Sequence, residues 1–235
     1  MGSAHIAVLS PGLLDELNPA AWARITRTRF TISTLYEGFS TSDAVSSAYL
    51  SQLTFSGAAI AIPIAPSSGI VASIGVTPYS RINYNVITPV TFGATAYTTE
   101  YVGSGGISLA YLGASWSAGS DLHVGGKLNY YFGTLNYTTK QVFADVQFAN
   151  AEVLRATTLR GFGLTFGAIY SGFKRLLDLP EPNALNLGVV VSTTSYLTGS
   201  DERFYAYNTG AEMIINPMVA ATSRLSVGGN EIALV

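Results

Sequence analysis

Between Leu122 and Thr134 the chain changes character at every step. Leu122, Val124, Gly126, Leu128, Tyr130 and Phe132 make one set, and His123, Gly125, Lys127, Asn129, Tyr131 and Gly133 the other. A two-residue period is that of an extended strand with one apolar and one polar face. The split recurs at 161–171, where Phe162, Leu164, Phe166, Ala168 and Tyr170 oppose Gly161, Gly163, Thr165 and Gly167. It recurs again at 185–194, with Leu185, Leu187, Val189 and Val191 against Asn186, Gly188, Ser192 and Thr194. Ile70, Ala72, Ile74 and Val76 alternate with Val71, Ser73, Gly75 and Thr77, and Phe30, Ile32, Thr34 and Tyr36 with Arg29, Thr31, Ser33 and Leu35. The pattern predicts about seven strands, near 25–38, 48–62, 69–79, 97–116, 122–138, 159–173 and 185–198.

The predicted connections alternate in length. Pro63–Ser68 and Ser117–Asp121 are tight, whereas Arg81–Ala96 and Thr139–Thr158 read as long loops. Phe39–Ser47 and Lys174–Ala184 depart from that rule. Charges gather in the connections: Lys140, Asp145, Glu152, Arg155 and Arg160 in one, Lys174, Arg175, Asp178 and Glu181 in another. Lys127, deep in a strand, lies on the polar parity. Tyr36, Tyr79, Tyr97, Tyr101, Tyr131, Tyr137 and Tyr170 fall near predicted strand ends, where an aromatic girdle explains them better than β propensity alone.

Composition says what the apolar faces meet. Charged residues are 11% of the 235 and mean hydropathy is +0.33, against roughly 25% charge in ordinary globular domains. So little charge cannot cover a water-facing surface. The longest charge-free stretch, Ala44–Ser80, is broken by Gly57, Pro63, Pro66, Gly69, Gly75 and Pro78, so it cannot form the roughly 20-residue helix that crosses a bilayer. A closed barrel is the other structure that satisfies its own backbone in lipid. The fold expected is therefore all-β, an antiparallel transmembrane β-barrel of the bacterial outer membrane.

The first 24 residues lack alternation. Ser10-Pro11 opens a short helix through Leu17, and Asn18-Pro19 breaks it. We therefore divide the chain into a helical plug segment, 1–24, which enters the lumen or lies at the periplasmic mouth, and a barrel, 25–235. An odd strand count and a fresh apolar stretch opening at Ser226 predict a barrel truncated at its C-terminus. No export signal opens the sequence, so the location rests on the barrel pattern. Cysteine is absent and net charge is −2, which points away from disulfides, thiolate metal sites and nucleic acid.

Asn18-Pro19-Ala20-Ala21-Trp22-Ala23, the long alternating strands and Gly105-Gly106-Ile107-Ser108 together resemble the FadL/TodX outer-membrane transporters. The resemblance implies that Asn18, Pro19 and Ala20 belong to a hatch plugging the barrel from the periplasmic side. It implies that a kink in an early strand opens a lateral path into the bilayer; Gly75 and Pro78 are the kink-forming candidates. It further implies passive uptake of hydrophobic small molecules such as long-chain fatty acids, with outer-membrane lipid and a hydrophobic ligand as partners. The alternative is a non-transport barrel serving a structural, secretion-associated or surface-interaction role, with a protein partner the residues do not name.

Candidate lumen residues are Val71, His123, Lys127, Asn129, Ile169 and Val190. Val71, Val190, Ile169 and Leu35 are apolar on the inner parity, too few to separate a ligand channel from a packed interior. His123 beside Asp121 would suit a membrane hydrolase, but no serine is flagged as its partner, and no enzyme activity is expected. Asp15-Glu16 and Asp201-Glu202 lack the spacing of a metal site, and read as solvated charges. Gly161-Phe162-Gly163 and Gly103–Gly106 open no helix and so are no phosphate loops. No cofactor is expected.

Overall fold

Every alternating stretch becomes a strand. The computed structural model describes residues 4–42, 47–93, 95–145, 148–173, 185–193, 195–208, 213–227 and 230–234. Among the described residues ten strands share one antiparallel sheet: β1 (Arg29–Ser42), β2 (Ser47–Ala65), β3 (Ile70–Phe92), β4 (Thr95–Ala118), β5 (Leu122–Phe143), β6 (Asn150–Tyr170), β7 (Leu187–Ser192), β8 (Ser195–Asn208), β9 (Met213–Val227) and β10 (Asn230–Leu234). β1 to β6 pair in sequence order. β6 then pairs with β7 along Thr165–Tyr170 and with β8 along Asn150–Arg160. β7 and β8 are therefore two halves of one run, interrupted at Thr193, whose backbone N–H still donates to the Leu164 carbonyl at 2.9 Å. β10 pairs with β7 and β9 with β8, a second divided run. The wall is thus an antiparallel meander of eight long runs, curved as a half-barrel, and among the described residues no ladder joins β1 to β9 or β10.

The seven-strand reading falls short in two places. Arg81–Ala96 was expected as a loop, yet β3 runs to Phe92 and β4 begins at Thr95. Thr139–Thr158 is mostly β5 and β6, with Lys140 and Glu152 facing each other across the ladder at 3.8 Å. Polar residues on both faces of these extensions hide the two-residue period. The Ser226 stretch is the end of β9 followed by β10. Lys174–Ala184 lies outside the described residues.

The two faces of the sheet differ as the alternation requires. Phe162 and Phe166 are 64% and 55% exposed on the convex side, while Gly163, Thr165 and Gly167 between and beyond them are buried on the concave side. Apolar side chains form a convex belt that runs on β5 from Leu122 to Phe132. Its upper edge is aromatic: Tyr130 packs against Phe162 at 4.8 Å and Phe132 at 5.6 Å. Above it the convex positions become Thr134, Asn136, Thr138 and Lys140 on β5, and Thr158, Ala156, Leu154 and Glu152 on β6, with Arg160 beside Phe132 at the rim. No described helix is long and apolar enough to cross a membrane.

One ladder is shorter than its strands. β2 and β3 pair only from Ala58↔Val76 to Ala65↔Ile70, within the level of the belt. Beyond that level 47–57 pairs with β1, and 77–92 with β4. Among the described residues no ladder bond crosses between them.

Candidate functional site: the filled concave face

The concave side is occupied by the chain's own N-terminus. Asn18 is extended (φ −112, ψ 107), and its Oδ1 accepts from the Ala20 N–H at 3.0 Å. Pro19 stands at the first position of the 3-10 turn Pro19–Arg24, where a missing N–H costs nothing. Asn18 Nδ2 also donates to the Ile6 carbonyl at 2.5 Å, and Trp22 Nε1 to the Asp15 carbonyl at 2.5 Å. Asp15 Oδ1 accepts from the Leu17 N–H at 2.9 Å. These bonds give an irregular segment a fixed shape without regular structure.

That shape is pressed into the sheet. A Cβ on Gly125 would lie 2.5 Å from the Pro19 carbonyl carbon and oxygen; one on Gly167 would lie 1.9 Å from Asn18 Oδ1 and 3.0 Å from the Pro19 ring. A Cβ on Gly188 would come within 2.5 Å of the Ile6 carbonyl. Three strands thus give up side chains where the segment crosses them. Around this contact Trp22 stacks on Tyr111 at 5.8 Å and joins Leu14, Ile25, Ala59, Ala61 and Val71 in one cluster, while Ala20 and Ala21 pack on Ile169.

Charge marks the upper side of the segment. Lys127 Nζ donates to the Glu16 backbone carbonyl and sits 5.2 Å over the Tyr111 ring. Burial pushes the Glu16 carboxyl above its ordinary value, opposed by Lys127 and by a hydrogen bond from Thr77. Asn129 donates to Thr165 at 2.8 Å and Thr165 meets Ser192 at 3.0 Å. Glu16, Leu17 and these wall residues, with Tyr79, Tyr131 and Val190, line a cavity of about 490 Å³. A second cavity, about 680 Å³, lies on the other side of the segment among Leu9, Arg24, Gly69, Ser117 and His123. The segment separates the two.

The residues singled out from sequence fall as follows. Asn18, Pro19 and Ala20 are fully buried at the centre of the contact. Val71 and Ile169 are covered by the segment, and Val190, Lys127 and Asn129 line the upper cavity. Gly75 keeps regular register with Ala59 and seats the Tyr111 ring, while Pro78 stands at a bulge just above the last β2–β3 pair. His123 Nδ1 lies 2.8 Å from Ser117 Oγ, a hydroxyl that sequence reasoning did not pair with it. A serine triad requires a carboxylate on the other imidazole nitrogen, and His123 Nε2 has no partner among the described residues. Asp201 is held by Arg155 at 2.8 Å, Thr157 at 2.7 Å and Arg203 at 3.6 Å. No group of described residues is arranged to hold a metal ion. Sequence reasoning missed Glu16, Trp22, Tyr111 and the seats at Gly125, Gly167 and Gly188. The available signal was glycine recurring on the inner parity of consecutive strands.

A protein-family model described as BamG matches residues 1–223. The chain belongs to the BamG family. Comparisons with curated proteins and with solved structures gave no match. BamG is a family associated with the BAM complex, the machinery of outer-membrane protein assembly, and its location is outer-membrane-associated. Membership overturns the resemblance to the FadL/TodX transporters, and with it the expected uptake of long-chain fatty acids and the lipid and small-molecule partners. The physical reason is local. Asn18-Pro19-Ala20 is a cap, a first-turn proline and a small packing residue, a combination that any 3-10 turn pressed on a sheet can use.

Proposed function

We propose that this BamG-family protein is a non-enzymatic partner subunit of the outer-membrane assembly machinery, embedded in the bilayer through its convex belt and closed by its N-terminal segment. Family membership over residues 1–223 carries the reading. The geometry supports it. The belt from Leu122 to Phe132 has the length of strand, about 9–11 residues, that crosses a bilayer when tilted. An aromatic rim ends it, as at an interface. The strand extensions above mix polar residues with exposed apolar ones such as Val86, Ile87 and Val142, and offer a broad surface for protein contact. The concave face is filled by a segment with its own core, which suits a scaffold better than a conduit. Tagged protein isolated from outer membranes in mild detergent should bring BAM-complex components in fixed proportion, and its depletion should lower the amount of folded outer-membrane protein. Isolation without those components, with outer-membrane protein levels unchanged after depletion, would refute the proposal.

A further inference from the structure

We infer that the split between the upper parts of β2 and β3 is a slot for one extended segment of a partner protein, entering from the side of the strand extensions. The inference rests on the assembly-partner reading above and names where a partner is held. Unpaired strand edges recruit further strands. Here two such edges face each other, 47–57 of β2 and 77–92 of β3, and among the described residues no ladder bond joins them. Side chains span the interval instead: Arg81 bonds the Thr54 hydroxyl, and the Asn83 and Gln52 amides meet at 3.0 Å. Paired strands lie about 4.8 Å apart, so two strands flanking a third stand roughly 9.6 Å apart. At the foot of the split Thr77 Oγ1 still reaches the Ser56 carbonyl at 3.3 Å; farther up, the bridges pass through two side chains each and fit that wider spacing.

The chemistry of the slot favours a peptide backbone over an acyl chain. The bridging groups are amides, a hydroxyl and a guanidinium, the kinds of donor and acceptor that an incoming main chain would meet or displace. The pairing of β2 with β3 holds through most of the apolar belt and stops at Ala58↔Val76, level with Tyr130 in the aromatic rim, so the opening begins at the rim and extends above it. Pro78 withholds a ladder donor where the split begins, and the β3–β4 register shifts at the same place, between Pro78 and Ser80. A segment held there adds a strand between two others, the strand-addition mode of peptide recognition.

A photoreactive phenylalanine placed singly at Gln52, Asn83 or Asn85 in the full protein, within its native complex, tests this. The expected result is capture of one partner segment from both sides of the slot. The attachment point should step by two partner residues as the probe moves from Asn83 to Asn85. A probe at Asn136, on the convex face of β5, should capture that segment several-fold less. No capture from an intact complex would overturn the slot while leaving the assembly role standing. So would capture of lipid, capture of a second copy of this chain, or attachment without the two-residue step. Failure to isolate any BAM component would instead strike the assembly role itself. Because the chain has no native cysteine, Gln52→Cys with Asn83→Cys can be bridged by a bis-maleimide after folding. The bridged protein should lose the captured partner several-fold, and a singly labelled Thr138→Cys control should retain it; equal retention by both would also overturn the slot.

Discussion

Gly167 shows how much one missing side chain can decide. Its Cβ would stand 1.9 Å from Asn18 Oδ1, so Gly167→Val forces either Asn18 or the strand to move. Overpacking of this kind costs about 1–3 kcal/mol. The expected outcome is a lower melting temperature together with proteolysis inside the first 24 residues, whereas Gly126→Ala, directed to the convex face, should leave the segment protected. Glu16 gives a pH prediction. Burial raises its carboxyl above the ordinary 4.5, so the folded state binds more protons than the unfolded state between those two values. Stability from this group is therefore present at low pH and falls as pH rises through that window. Glu16→Gln should flatten the fall and raise stability at neutral pH, as read by thermal unfolding on both sides of the window. The alternation made His123, Lys127 and Asn129 legible as inward residues. It could not reveal Glu16 or Trp22, because their positions depend on a segment whose hydrogen bonds follow no period.

At the level of elements, legibility ended where the surroundings stopped being two-sided. Leu122–Phe132 has lipid-like residues on one face and polar ones on the other, so its period is plain. Thr134–Phe143 and 150–160 are strands too, but Thr134, Asn136, Lys140, Glu152 and Arg155 place polar groups on both faces. Charges that suggested loops mark ladders instead, as Lys140 and Glu152 do. β3 runs past both Pro78 and Pro89, because a proline is tolerated where a strand edge or bulge needs no donor. Pairing predicts exchange: amides in Ser47–Gly57 and Thr77–Phe92 that point into the split should exchange hydrogen faster than those in Ala58–Ala65 and Ile70–Val76. Hydrogen-exchange mass spectrometry of detergent-folded protein measures this, and equal protection across Val76 would mean the split is closed in solution.

Across the whole molecule, the belt is the feature that sets the environment. Leu128 lies midway between Leu122 and Phe132 on the convex face, so Leu128→Arg should cost roughly 2–4 kcal/mol in a bilayer. Thr138→Arg, on the same strand above the aromatic rim, should cost close to nothing. Urea unfolding in lipid vesicles separates the two, and equal costs would place the belt outside the membrane. All-β architecture and the sidedness of the strands at the level of the belt were readable from sequence because an apolar outer face and a crowded interior impose opposite demands at neighbouring residues. The family was not readable, since a three-residue turn motif reports local geometry and nothing about partners.

The glycine seats also impose an order in time. Asn18 is held by Gly125 and Gly167, and Ile6 by Gly188, on strands made much later than the residues they hold. Contacts so far apart along the chain form late. That segment must therefore travel unsettled until β5, β6 and β7 are side by side, and its docking registers that this part of the wall is in place.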